Sequence, residues 1–174
     1  FCLEDAIFES CSVFEDKSIE KNIQFNFNFS KQNKTYVVSD LNTLQTNVIA
    51  NILSNAIKFS YPNSQIHFSI ESSLTWTLLK IKDSGIGIPK ELIEKIFIPG
   101  AATSRKGTKN ENGTGFGMLL IKSFMESYEG DILIESIVKS ETNNDHNEFG
   151  TTIILKFKTA KTESHPTPNT TKAA

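Results

Sequence analysis

Apolar and polar positions alternate in two rhythms along this chain, and each change of rhythm marks an element. Leu3 and Ile7, then Val13 and Phe14, recur at helical spacing between acids, which predicts the end of an entering helix. QFNFNF (24–29) alternates with period two and predicts a strand with one face on a core; TYVVSD (35–40) predicts a short second strand. Over 41–59 the apolar positions Leu41, Leu44, Val48, Ile52, Ala56 and Phe59 return to helical spacing, with Asp40 placed to cap the helix and SYPNS to stop it. IHFSIES and TWTLLKIKD predict a strand pair joined by a short turn near 72–74. Pro89 suits the first position of a short helix, KELIEKIF. FGMLLIKSFMESY predicts another helix, which Gly130 ends as a left-handed cap, and DILIESIV and GTTIILKFK predict strands on either side of a polar loop. Helices mixed with strands joined by short turns predict an α+β fold: a two-layer α/β sandwich, with a mixed sheet of about five strands and three main helices on one face.

Composition narrows this picture. A chain of 174 residues, 38% hydrophobic, suits one domain with a sizeable core. The first residue is Phe rather than Met and the last stretch, TAKTESHPTPNTTKAA, has little to bury, so both ends read as cuts or linkers. The expected division is a preceding helix or linker over 1–16, the main domain over 17–159 and a disordered tail over 160–174. A formal charge of −2 gives no chain-wide attraction to nucleic acid or an anionic membrane, so any anion site must be local. No apolar run approaches the roughly 18 residues of a membrane span, and no signal peptide opens the chain. Cys2 and Cys11 form neither a zinc motif nor a disulfide framework, which fits a cytoplasmic setting.

Three segments carry candidate chemistry. On the 41–59 helix, Asn51, Asn55 and Lys58 fall within roughly 60° of arc beside the apolar face, at the rim of the core. An Asn carbonyl can ligate Mg²⁺ and a Lys can neutralise phosphate, although an Asn- and Lys-rich chain also produces such clusters by chance. In KIKDSGIGIP a strand delivers Asp83 into a turn made by Gly85 and Gly87, where a carboxylate can accept from the exocyclic amine that adenine has and guanine lacks. The bland alternative is an ordinary turn after a strand. In NGTGFGM, Gly113, Gly115 and Gly117 lead directly into a helix, so their amides and the helix start can meet phosphate oxygens; the alternative is a flexible linker. The P-loop, the dinucleotide glycine pattern and the H-R-D and D-F-G motifs of protein kinases are all absent. Between the second and third segments, 99–117 is long, aperiodic and rich in Gly, Thr, Asn and Lys, a loop with a purpose.

Taken in order, NVIANILSNAIKFS, IKDSGIGIP and NGTGFGMLLIKSF resemble the N, G1 and G2 boxes of the sensor histidine kinase ATP-binding catalytic domain, in the gyrase, chaperone, histidine kinase and mismatch-repair ATPase superfamily. The resemblance spans about 17–158 and implies a Bergerat-type fold binding ATP and Mg²⁺. It implies that Asn55 holds the metal, with Asn51 and Lys58 assisting; that Asp83 binds the adenine amine in a pocket shaped by Gly85, Gly87 and Ile88; and that Gly113, Thr114, Gly115, Phe116 and Gly117 line the triphosphate. Residues 99–112 become a mobile lid, locally basic through Arg105, Lys106 and Lys109 against Glu111. The F box departs from the family, since Phe97 stands alone in Phe97-Ile98-Pro99-Gly100; Phe116 and Met118 replace the more usual Leu and can pack under the helix start.

Hydrolases of the same fold carry a Glu one helical turn before the metal Asn. Here that position is Asn51, and an amide takes no proton from water, so transfer to a strong nucleophile such as imidazole is favoured over hydrolysis. None of His67, His146 and His165 lies in an entering helix with a following acid. The resemblance therefore implies a two-component histidine kinase domain that phosphorylates a histidine on a separate dimerisation domain of the same protein, with a response regulator downstream. The fragment is expected to be monomeric within a homodimeric parent whose membrane anchoring is left open. The alternatives are an anti-sigma-type serine kinase and a catalytically silent nucleotide-binding module.

Overall fold

In a computed structural model, which describes residues 1–30, 32–111, 115–139 and 149–160, the period-two segments meet in one sheet and the helical segments cover it. Strands β1 (Gln24–Phe27), β2 (Gln65–Ser72), β3 (Trp76–Lys82), β4 (Asp131–Ile137) and β5 (Gly150–Lys158) lie in the order β1-β2-β3-β5-β4, and only β1 and β2 run parallel. A parallel pair needs a long crossover. The segment between them supplies it as a continuous rod: α3 (Leu41–Thr43), a π-helical stretch (Leu44–Ile49) and α4 (Ala50–Phe59). Asp40 caps the rod as the sequence predicts, its carboxylate accepting from the backbone N–H of Thr43 at 2.7 Å. The π stretch is not predicted by the periodicity.

Register turns alternation into a core. Phe27, Phe68, Ile81, Ile153 and Ile134 pair across successive strands as one apolar row. They share a cluster with Leu44, Val48 and Ile52 of the rod, Ile121 and Met125 of α6 (Gly117–Ser127), and Leu3 and Ile7 of α1 (Leu3–Val13). An 11-residue helix is marginal alone. Leu3 and Ile7 are fully buried, and each contributes about 1.5–3 kcal/mol, so docking holds α1 in place. Phe8 of α1 adds ring contacts to Phe27 and Phe29, with centroids at 4.6 and 5.6 Å. A short α2 (Glu15–Glu20) leads from α1 to β1.

Three local expectations are corrected. TYVVSD is not a strand: it makes single bridges from Tyr36 to Cys2 and from Val37 to Thr159, and only Val37 of the three central residues is buried, too little for a ladder. KELIEKIF is α-helical only as α5 (Lys90–Ile93), after which i→i−3 bonds at Lys95, Ile96 and Ile98 tighten the chain into turns. The left-handed residue after α6 is Glu129, with φ 54°, not Gly130. Gly130 is required for closeness instead, since a Cβ there would lie 2.4 Å from the carbonyl oxygen of Lys156.

Candidate functional site

Between α4 and the sheet lies a cavity of about 920 Å³, its mouth included, to which all three candidate segments contribute. Asn51, Asn55 and Lys58 line it from α4, Asp83, Gly87 and Ile88 from the turn after β3, and Gly115 and Gly117 from the approach to α6. Ile52, Ile81, Ile96, Met118 and Ile153 give it an apolar lining, so a few polar groups converge on a greasy slot, as in sites for flat organic ligands.

Asp83 is the most constrained of these groups. Its Oδ1 accepts from the backbone N–H groups of Gly85 at 2.9 Å and Thr151 at 3.1 Å, while its own N–H donates to the Thr151 carbonyl at 2.9 Å. Oδ2 accepts no hydrogen bond among the described residues, which makes it the oxygen this carboxyl can offer to the cavity. Burial pushes the Asp83 pKa up to about 7, against the opposing pull of the two backbone donors and Lys82.

The turn that holds Asp83 depends on close backbone approach. Gly87 adopts φ +71°, and a Cβ there would stand 2.3 Å from the Ile137 carbonyl oxygen. Gly85 has ordinary backbone angles but presses on the end of α4, where a Cβ would meet the Phe59 carbonyl oxygen at 2.3 Å. One hydroxyl joins this turn to the far edge of the sheet: Ser136 Oγ accepts from the Ile88 N–H at 2.8 Å and lies 2.8 Å from the Gly150 carbonyl oxygen and 2.9 Å from Thr151 Oγ1.

On α4 the three polar side chains differ in how they are held. The amide nitrogen of Asn51 donates to the Asn47 carbonyl inside the π stretch, which turns Oδ1 toward the first turn of α6; a Cβ on Gly117 would lie 3.1 Å from it. The Asn55 amide makes no hydrogen bond among the described residues, so both its oxygen and its nitrogen remain available to the cavity. Lys58 is largely buried. Desolvation lowers its pKa, opposed by Glu111 and assisted by Lys21.

The loop 99–111 folds over the mouth. Arg105 donates from Nη1 to the Gly87 carbonyl at 2.7 Å, and Lys58 Nζ donates to the Arg105 carbonyl at 3.0 Å. Both cations lie against the Phe59 ring, 4.6 Å from its centroid for Lys58 and 5.8 Å for Arg105.

Several expected site residues stand apart. Lys109 Nζ donates to the Glu20 carbonyl at 3.1 Å, away from the cavity. Phe97 packs on the core with Lys122 Nζ 5.1 Å from its ring centroid. Phe116 does not pack under the helix start: it is 66% exposed, whereas Met118 takes the buried position. Gly113 and Thr114 lie outside the described residues. No motif in the sequence marks Ser136 or Thr151, and the one cue to Thr151 is its place directly after the glycine that opens the last strand.

A family model described as histidine kinase-, DNA gyrase B-, and HSP90-like ATPase matches residues 40–161. The sensor histidine kinase WalK of Bacillus subtilis (strain 168) is 35% identical over 120 residues, which is 68% of this chain and 19% of that relative. The chain thus spans about a fifth of the length of that protein. The solved catalytic domain of the histidine kinase ThkA, in a nucleotide-free form, superposes with a TM-score of 0.70 at 25% identity, covering 91% of this chain and 94% of that one. A structure of ThkA in complex with the response regulator protein TrrA superposes with a TM-score of 0.68 at 26% identity, covering 92% of this chain and 41% of that one.

Proposed function

This chain belongs to the histidine kinase-, DNA gyrase B- and HSP90-like ATPase family, and on that premise we propose that it is the ATP-binding catalytic domain of a two-component sensor histidine kinase. The observation that carries the proposal is the convergence of Asp83, Asn55 and Lys58 on one apolar cavity. Asp83 Oδ2 accepts from the adenine amine, and the apolar lining takes the ring. Asn51, beside the start of α6, and Asn55 face the phosphates, and Lys58 supplies a cation from the same helix at the wall of the slot.

Mg²⁺ suits this donor set. Asn55 offers a hard, neutral oxygen with no competing protein partner among the described residues, and no cluster of three or more His, Cys, Asp or Glu exists among them to cage an ion alone. Asn55 would hold the metal together with phosphate oxygens, and the bound ion would neutralise charge on the transferring group. Asn51 has its amide nitrogen committed to Asn47 and offers only an amide oxygen, which cannot deprotonate water. Attack by an imidazole nitrogen on the γ-phosphorus needs no such base. The new N–P bond forms as the bond to the β–γ bridging oxygen breaks, and ADP leaves.

The acceptor comes from elsewhere. His67 sits on β2 with its neighbour Phe68 in the core, so its imidazole points to the opposite face of the sheet and does not line the cavity. A histidine on a dimerisation domain of the same protein, in a homodimeric parent, then fills the role, with a response regulator receiving the phosphoryl group. No helix among the described residues is long and apolar enough to cross a membrane. The catalytic domain proper spans 17–159 in this reading, with α1 docked on it through Leu3 and Ile7.

Calorimetric titration with ATP and GTP analogues, with and without Mg²⁺, tests the reading. ATP should bind more tightly than GTP and more tightly with Mg²⁺; equal affinity for the two bases, or none for either, would overturn it. Protonation gives a second signature. The Asp83 pKa is raised to about 7 in the folded chain from 3.8, so its contribution to stability is greatest below about pH 4 and is lost as pH rises toward 7. Adenine binding runs the other way, because the amine is bonded by the carboxylate. Adenosine affinity should rise about tenfold between pH 6 and pH 8, with proton release detectable in buffers of different ionisation enthalpy.

A further inference from the structure

Lys21 belongs to none of the three motifs, yet its side chain is buried where α2 gives way to β1. Its Nζ donates to the carbonyl oxygens of Ile57 at 2.9 Å and Lys58 at 2.8 Å, in the last turn of α4, and to Thr108 Oγ1 at 2.8 Å, and it pairs with Glu111 Oε1 at 2.7 Å. Four oxygens around three N–H bonds leave the ammonium fully engaged. Two of the oxygens belong to α4 and two to the loop over the cavity.

The loop side is shaped to receive it. Thr108 donates from its backbone N–H to the Lys58 carbonyl at 3.1 Å and from Oγ1 to the Ser60 carbonyl at 2.8 Å. The Gly107 N–H donates to the Glu111 carbonyl at 2.9 Å, and Glu111 Oε2 accepts from the Lys109 N–H at 2.7 Å, closing 107–111 into a turn. That turn sits on the backbone of Lys58, whose side chain lines the cavity. Any donor could satisfy the last carbonyls of a helix. Burying a full charge for that purpose alone is unfavourable, and the counter-ion that neutralises it, Glu111, is supplied by the loop.

We propose that Lys21 is a positioning residue for nucleotide, a joint that pins 107–111 to the end of α4 so that only the stretch carrying Arg105 and Lys106 rearranges around bound phosphates. The inference rests on the cavity being the ATP site. With the pin removed, Mg²⁺-ATP binding must also order the loose end of the loop around the phosphates, while adenosine, which carries no phosphate for the basic stretch to close on, is spared that loss.

In the 174-residue chain, Lys21→Met and Glu111→Ala should each weaken Mg²⁺-ATP binding about tenfold, shift adenosine affinity by less than about twofold, and speed hydrogen exchange at the Thr108 amide. Wild-type ATP affinity with wild-type Thr108 exchange in either variant overturns the proposal, whatever the melting temperature. If Lys21→Met fails to fold, Glu111→Ala carries the test, because that side chain is 34% exposed. Failure of the unmodified chain to bind adenosine would instead sink the reading of the cavity, and Thr108 exchange in the unliganded variants would still decide whether the joint exists.

Discussion

Asp83→Asn should weaken ATP binding about a hundredfold while leaving the fold intact, because the protein itself dictates which way the new amide points. Two backbone N–H groups, from Gly85 and Thr151, need an acceptor at Oδ1, so the Asn oxygen stays with them and its NH₂ turns to the cavity. There a donor meets the donor amine of adenine. A charge-assisted hydrogen bond is lost and a buried donor is left unpaired, together about 3 kcal/mol, or roughly a hundredfold. Guanine presents a carbonyl at that position, so discrimination between ATP and GTP should narrow, and the dependence of adenosine affinity on pH between 6 and 8 should vanish. Calorimetry on the variant reads all three effects. ATP affinity within threefold of the parent chain would show that Asp83 does not read the base.

Asn55→Ala should separate nucleotide binding from metal-assisted chemistry. The substitution removes a side chain that makes no hydrogen bond among the described residues and lies at the cavity rim, so little stability is at stake. ATP affinity in Mg²⁺ should fall to the level seen without it, and phosphoryl transfer to a supplied histidine-bearing dimerisation domain should drop at least about a hundredfold, since charge neutralisation on the transferring group is most of what this reaction needs. The pair of titrations with and without Mg²⁺, followed by a transfer assay with labelled ATP, checks it. A variant that keeps its Mg²⁺ dependence would move the metal to another ligand.

The features that could be read from the sequence depend on local chain geometry. The helical spacing from Leu41 to Phe59 places Asn51, Asn55 and Lys58 on one edge, and a strand followed by a glycine turn places Asp83 at its end; both local rules hold in the folded chain. What could not be read depends on contacts between distant residues. Thr151 reaches Asp83 across 68 positions, Ser136 reaches Ile88 across 48 and Lys21 reaches Thr108 across 87, and no periodicity records such pairings. Lys109 shows the same limit for charge: a count places it with Arg105 in a basic loop, but only the fold reveals that its ammonium turns to the Glu20 carbonyl. Phe116 shows it for apolarity, since the neighbouring turn already buries Met118 and leaves the larger ring outside.

The π-helical stretch at Leu44–Ile49 gives the rod one place where its length can change by a residue. A π turn is an ordinary helix holding one residue too many, and the regular turns on either side keep their facing. Loss of one residue within 44–49 would restore a plain helix and leave Asn51, Asn55 and Lys58 pointing where they do now. The same loss between Asn51 and Lys58 would swing every later side chain by about 100° around the axis and carry the lysine out of the slot. Tolerance to insertion and deletion should therefore differ sharply between two adjacent stretches of one helix, high within 44–49 and low between Asn51 and Lys58.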